Sequence, residues 1–403
     1  MLFAYYLLPL VVSAIITCDV QLNSAEAEVS KRDVENVNYN NAWYTTFKIG
    51  SENKEIPISF SFRNNVNSVS NFTNLGSWKL RYNSTLGDTI VTDKLTLGDY
   101  EVDNVEFITT EGNATFGSLG LGLPYTGTWG YHKNFVQQLH ENGDIESSVL
   151  SLWVNPGNTT EGQFAFGGID EAKYDGSLFR FPMVNSFSYL EHSQNMEIKL
   201  DSLSASAVSF TQPVGVGLNP GMLKSSLPQG YFDAFGKALG GKFDKAENKF
   251  SVDKKYLTLN ETVNFIFGNF NLSVPISSLV EESLGKVYAT ITVNYIPVFG
   301  LDILQHAYIA IDYDNSEIAL GQTKASALDS EKFVNATSNL DTILLASGAS
   351  ETSLAIEIVM ALQSLAQIQY ASQRSAGSLS GGAASAGPVV GLFGLIAGVL
   401  MAI

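Results

Sequence analysis

Lys48–Asn65 reads KIGSENKEIPISFSFRNN. Ahead of it, Trp43 to Ile49 is an extended run that meets Gly50 and a polar turn. Ile56 to Phe60 then alternates, with the period of a strand that buries one face, and stops at the turn-forming Arg63-Asn64-Asn65. Strand, turn, strand and polar tip follow from that pattern. The tip, Ser61-Phe62-Arg63, stands at the end of the second strand.

The rest of the chain has the same character. Its 403 residues are enough for one large core or two lobes. Phe, Tyr, Thr, Val and Gly recur through the middle in short runs broken by turn residues, and helical periodicity is scarce until late. The pattern predicts an all-β architecture. Asn134 to His140 reads as one short amphipathic helix, ended by Asn142-Gly143. The formal charge is −17, and such a surface excludes non-specific nucleic-acid binding, which needs Lys and Arg on the phosphates. An acidic exterior suits acidic medium or a polyanionic wall, and equally suits plain solubility.

Both termini carry addresses. Met1 to Thr17 is apolar and too short for a good membrane span, and reads as a signal peptide cut between Ala14 and Cys18. Residues 18–32 then form a short propeptide, with dibasic processing after Arg32. At the other end, Pro388 to Ile403 is apolar to the last residue and follows the small residues SLSGGAASAG. That is the layout of a glycosylphosphatidylinositol (GPI) attachment signal. Attachment is expected at Gly381, with Ser380 or Gly382 beside it and residues 382–403 removed. A C-terminal membrane anchor is the competing explanation, disfavoured by the short run. Seven sequons lie between the signals, at Asn71, Asn83, Asn113, Asn158, Asn260, Asn271 and Asn335, a density that reads as a glycoprotein.

Cys18 is the single cysteine, so no disulfide and no thiolate zinc site is expected in the mature chain. His132, His140, His192 and His306 have no metal-ligand spacing, and no cofactor is implied. From Thr323 the composition shifts to Ala, Ser and Thr, and residues 326–381 are expected to form a stalk. Within it, Leu354, Ile358, Leu362, Leu365 and Ile368 place an amphipathic helix pattern over Leu354 to Tyr370. That segment can pack on the body, meet a partner or remain part of the stalk.

The opening hairpin resembles the first active-site hairpin of the pepsin-like aspartic peptidases, where the second strand ends in Asp-Thr-Gly. Phe116-Gly117-Ser118-Leu119-Gly120-Leu121-Gly122 resembles the Gly-Ile-Leu-Gly-Leu-Gly segment that packs behind that loop. Gly162 to Asp170, GQFAFGGID, is nearly the string that fungal members carry between the lobes, and it is the most specific match. Gly217 to Pro228, GLNPGMLKSSLP, resembles the second active-site segment, with Leu218, Gly221, Leu227 and Pro228 in register. Phe299 to Ile309 and the hairpin Tyr313 to Ile318 resemble the last strands. The resemblance covers about Trp43 to Gln322, nearest the yapsins, the lipid-anchored fungal branch.

It implies a bilobal fold with a cleft between two β-rich lobes, residues 33–188 and 189–325. It also implies what is missing. Ser61 and Asn219 take the places of the two catalytic aspartates, and Tyr82 that of the flap tyrosine. Two carboxylates sharing one proton split their pKa values, so that one can deprotonate water while the other acts as acid. A serine hydroxyl and an amide cannot do this. Phe62 and Pro220 replace the hydroxyl residues whose hydrogen bonds lock the loops together, and Arg63 replaces a glycine. Arg63 can offer a cation to an anionic ligand or pair with a local carboxylate. The expected protein is a monomeric, catalytically inactive homologue whose cleft binds an extended peptide, a wall component or a cell-surface protein. A GPI lipid ties it to membrane or wall glucan. An active or weakly active peptidase and a structural or adhesive wall glycoprotein are the alternatives.

Overall fold

Three strands found the core: β1 (Ile16–Asn23), β2 (Ala42–Ile49) and β3 (Lys54–Ser61). β2 and β3 make the predicted hairpin, in register from Trp43↔Phe60 to Ile49↔Lys54. Trp43, Phe47, Ile49, Ile56, Ile58 and Phe60 are buried, as alternation requires. The computed structural model describes residues 15–23, 42–70, 79–83, 89–110, 116–123, 126–127, 130–156, 158–185, 195–283, 285–294, 296–324, 330–336, 340 and 343–346. All belong to one compact unit, Met1–Ala361.

β1 lies across the expected boundary between signal and propeptide. It pairs with β2 through Gln21–Asn23 and with Glu161–Phe166 through Ile16–Gln21, and buries Ile16, Cys18, Val20 and Leu22. A signal cut at Thr17 or Cys18 would sever a core strand, whereas a cut after Ala14 spares it. Residues 18–23 of the expected propeptide hold most of that strand. Ile16 continues the apolar run of the signal, which hides the change from apolar block to alternating strand. Lys31-Arg32 lies outside the described residues.

The first half continues with β4 (Ser68–Ser70), β5 (Lys79–Asn83), β6 (Thr89–Leu97), β7 (Tyr100–Thr110) and β8 (Phe116–Gly120). β4 pairs with β7 and β8 and buries Val69. After the small hairpin β9 (Thr126–Gly127) and β10 (Gly130–Tyr131) comes helix α1 (Phe135–Asn142). Asn134 and Gln137 form its capping box, and Gly143 ends it in a left-handed conformation (φ 83°). Then follow β11 (Val149–Val154), β12 (Glu161–Phe166), β13 (Gly168–Asp170) and β14 (Tyr174–Pro182).

The second half holds β15 (Glu197–Ala205), β16 (Val208–Leu218), β17 (Ser226–Leu227) and helix α2 (Gln229–Ala238). A four-stranded sheet forms from β18 (Lys242–Asp244), β19 (Lys249–Val252), β22 (Val280–Ser283) and β23 (Lys286–Ala289). The remaining elements are β20 (Thr262–Phe267), β21 (Phe270–Pro275), β24 (Thr292–Val293), β25 (Val298–Phe299), the helical turn α3 (Leu301–Leu304), β26 (Ala307–Asp312) and β27 (Glu317–Thr323). One seven-stranded sheet runs β21-β20-β15-β16-β25-β17-β24.

The largest sheet crosses the expected lobe boundary near residue 188. Its fourteen strands include β14-β27-β26-β11-β12-β1-β2-β3 in that order, so the last two long strands return to pair beside the first half. Part of the expected stalk pairs with the body. β28 (Phe333–Asn335) pairs with β13, the short strand Leu344–Leu345 pairs with β14, and Ala336, Leu340 and Ala346 are buried. Ala336 and Leu340 join Val149, Trp153 and Ile169 in a second hydrophobic cluster. Small residues in an Ala/Ser/Thr-rich context conceal this docking, because a short edge strand needs little apolar volume. Leu354 to Tyr370 lies outside the described residues.

Candidate functional site

Two loops, one at the end of β3 and one at the end of β16, are built on the same plan. β3 runs parallel to β8, pairing Ile58–Ser61 with Gly117–Gly120. Beyond that ladder, Leu121 N–H donates to Ser61 O (2.8 Å) and Gly122 N–H to Asn64 O (2.8 Å). The backbones approach closely: a Cβ on Gly120 would stand 2.3 Å from the carbonyl carbon of Asn65, so glycine is required there. Ser61 is half-buried, and its Oγ accepts the Asn64 N–H (3.3 Å). Phe62 turns into the core and sets its edge on Phe164 (5.8 Å between centroids), which also receives Phe60 (4.9 Å) and Trp43 (6.1 Å). Arg63 and Asn64 are exposed.

β16 runs parallel to β25, pairing Gly217 with Val298 and Leu218 with Phe299. Asn219 N–H donates to Phe299 O (3.0 Å), and Leu301 N–H to Met222 O (2.6 Å). Gly300 plays the part of Gly120, since a Cβ there would meet the Lys224 carbonyl carbon at 2.7 Å. Asn219 is half-buried, and its Oδ1 accepts the Gly221 N–H (3.0 Å). Beneath this loop lies a polar core. Asp302 accepts from Ser225 N–H (3.1 Å), the Ser225 hydroxyl and the Thr290 hydroxyl (3.2 Å), while Gly300 N–H donates to Ser225 Oγ (2.8 Å). Burial pushes the Asp302 carboxyl above its ordinary range, against the pull of the Ser225 donors.

One indole joins the two loops. Trp43 is fully buried and its Nε1–H donates to Pro220 O (2.9 Å). Trp43 faces Phe60, the residue before Ser61, and Pro220 follows Asn219. The residues next to Ser61 and Asn219 along the chain therefore both meet a single tryptophan. A second tie comes from the closing hairpin, where Tyr313 O–H donates to Leu121 O (2.5 Å) behind the first loop. Trp43 as a bridge, Asp302 as a support and the buried Glu197, opposite Gly217 on β15, are absent from the sequence-based expectations. A tryptophan opening a strand signals core, and nothing in its spacing names Pro220 as its acceptor.

At the ends of these two strands the structure offers a hydroxyl and an amide. Neither ionises in the range where a carboxylate does, and neither can take a proton from water as a carboxylate base would. Tyr82 lies in β5, at the edge of the large sheet, paired with Ile90. His306 Nε2 is 2.8 Å from Ser278 Oγ, and burial lowers its pKa to about 4. His140 Nδ1 is 3.0 Å from Ser148 Oγ and 3.6 Å from Asp314. Among the described residues no group of three His, Cys, Asp or Glu is placed to hold a metal. No helix of the described residues is long and apolar enough to cross a membrane.

The sequons Asn158, Asn260, Asn271 and Asn335 are exposed, and Asn158 Oδ1 accepts the hydroxyl of its own Thr160 (2.7 Å). Asn83 ends β5. Asn71, Asn113, His192 and Gly381 lie outside the described residues.

Known proteins share this frame. Secreted aspartic protease 9 of Candida albicans is 30% identical over 262 residues, 60% of this chain and 48% of that protein. Aspartic proteinase 3 of Saccharomyces cerevisiae is 29% identical over 320 residues, 70% of this chain and 55% of its own length. Aspartic proteinase yapsin-3 of the same yeast is 27% identical over 256 residues, covering 58% and 50%. The chain thus spans about half the length of the curated relatives it matches. The crystal structure of the aspartic proteinase from Irpex lacteus superposes with a TM-score of 0.56 at 17% identity, over 78% of this chain and 100% of that one. The profile of the family described as eukaryotic aspartyl protease matches residues 41–323, and the chain belongs to that family.

Proposed function

We propose that this chain is a family member without the hydrolytic step, carried along the secretory route to the fungal cell surface. There its cleft binds an extended peptide. The observation that carries this reading is the pair Ser61 and Asn219, each at the end of its strand, each accepting an amide of its own loop, and neither a carboxylate. The secreted relative and the yapsin support the route, and the small-residue segment with its apolar tail supports a GPI anchor at Gly381. The exposed sequons support a glycosylated surface.

The test is hydrolysis of a mixed peptide library by the purified protein between pH 3 and 7. Silence is expected. Cleavage should return once Ser61→Asp, Phe62→Thr, Arg63→Gly, Asn219→Asp and Pro220→Ser are combined. Specific cleavage by the wild type, abolished by changing Ser61 or Asn219, would overturn the reading.

Residual peptidase activity is the second reading, and Glu197 is the observation in its favour. This carboxylate is 3% exposed, and its Cγ lies 3.8 Å from where a Cβ on Gly217 would stand, two residues before Asn219. Wild-type hydrolysis lost in Glu197→Gln would support it.

A further inference from the structure

We infer that the floor between the two loops takes an anionic group, and that the peptide this cleft prefers is acidic. The inference rests on the peptide-binding reading above and goes further by naming the ligand's charge.

Hydrogen-bond inventory leads there. Ser61 Oγ accepts the Asn64 N–H, so its own hydrogen points elsewhere and is free to donate. Asn219 Oδ1 must be the oxygen, because it accepts the Gly221 N–H. Its Nδ2 therefore presents two donors on the other side of the amide. Arg63, one residue beyond Phe62, is exposed and makes no ion pair with another described residue. Two carboxylates at these positions would make the floor acceptor-rich and negative. Here both side chains present donors, and Arg63, two residues after Ser61, brings a fixed positive charge to the first loop.

Glu197 and Asp302, the buried carboxylates near the second loop, do not cancel this pattern. Glu197 is buried and accepts from Asn195 Nδ2 (3.0 Å). Asp302 lies beneath the second loop with the Ser225 and Thr290 donors turned onto it. The overall charge of −17 opposes an acidic ligand at long range, but salt screens that field beyond about 10 Å, whereas a contact with Arg63 survives. Guanidinium–carboxylate contacts, with further donors, are among the stronger hydrogen bonds available to a peptide.

The experiment is affinity selection from a random hexapeptide library on the immobilised full-length protein, with retained peptides sequenced by mass spectrometry. Wild type should enrich Asp and Glu at one position about tenfold over the input, the effect of one charge-assisted contact. Arg63→Gln should abolish that enrichment while still retaining peptides, and Arg63→Lys should restore part of it. Arg63 is exposed, so these variants should fold, and unchanged thermal unfolding checks that they do. Should Arg63→Gln nevertheless misfold, Asn219→Leu removes the amide donors and should also reduce the acidic preference. Retained peptides with no acidic preference would overturn the inference and leave peptide binding standing. No retained peptides at all would overturn the peptide-binding reading, and the inference with it.

Discussion

The loop after β3 and the loop after β16 share a backbone plan but are held in place by opposite chemistry. Each follows a strand that runs parallel to another, and each is backed by a glycine that lets two backbones touch. Under the first loop lies an aromatic cluster of Trp43, Phe60, Phe62 and Phe164. Under the second lies a buried carboxyl ringed by hydroxyls, Asp302 with Ser225 and Thr290. The first is stabilised by apolar area removed from water, whatever the pH. The second contains a carboxyl whose pKa burial raises, so its stability varies with pH. Symmetric backbone placement therefore does not require symmetric side chains, and the two loops should respond differently to substitution.

Trp43 gives the largest expected effect because it serves both. Trp43→Ala removes the largest side chain of the aromatic cluster and should cost about 3–5 kcal/mol in denaturant unfolding. Trp43→Phe keeps most of the apolar area and leaves Pro220 O, 2.9 Å from the lost donor, without its partner. It should cost about 1–3 kcal/mol, the penalty of an unpaired buried acceptor. If Trp43→Phe costs nothing, the indole hydrogen bond is not what couples the loops.

The glycines come next. A Cβ at position 120 would stand 2.3 Å from Asn65 C, and one at position 300 would stand 2.7 Å from Lys224 C. Both contacts are with backbone, which cannot rotate away. Gly120→Ala and Gly300→Ala should each destabilise by about 1–3 kcal/mol, and Gly120→Ala by more. Thermal melts of the two variants side by side would reveal the order, and the reverse order would mean that the first loop yields more easily than its aromatic packing suggests.

Much of this frame was legible in the sequence because local rules decide it. Alternation in Ile56 to Phe60 and the turn at Gly50 specify the hairpin, and GQFAFGGID specifies a strand with a tight glycine turn. Asn134, Gln137 and Gly143 specify the ends of the helix. What was illegible depends on partners far along the chain. Pro220 lies 177 residues from Trp43, and Asp302 lies 77 residues from Ser225. No periodicity encodes such pairs. The segment 330–346 and the strand β1 were hidden for a different reason. Composition is averaged over a window, and a few buried residues such as Ile16 or Leu340 vanish inside a signal-like or stalk-like stretch. The Ser61 and Asn219 positions stood out because the resemblance supplied a register, one that spacing alone does not contain.

The smallest expected effect separates the loops most cleanly. Burial raises the Asp302 pKa, so the folded protein holds that proton more tightly than the unfolded chain does. The stabilisation is fully present below the unfolded carboxyl pKa of about 4 and is lost as pH rises through the higher folded value. The stability gap between wild type and Asp302→Asn should therefore narrow from pH 3 to pH 7. Phe62→Leu is the matching change in the first loop, where the packed groups do not titrate, and its cost of about 1 kcal/mol should stay flat over the same range. His306, depressed to about 4 by burial, tilts the wild-type curve the other way, since its contribution is present above 6.5 and fades towards 4. That tilt is common to all three proteins and cancels in the differences. Two flat differences would mean that Asp302 keeps its charge in the fold, with the Ser225 and Thr290 donors outweighing burial, and the contrast between a loop indifferent to pH and one that responds to it would fall.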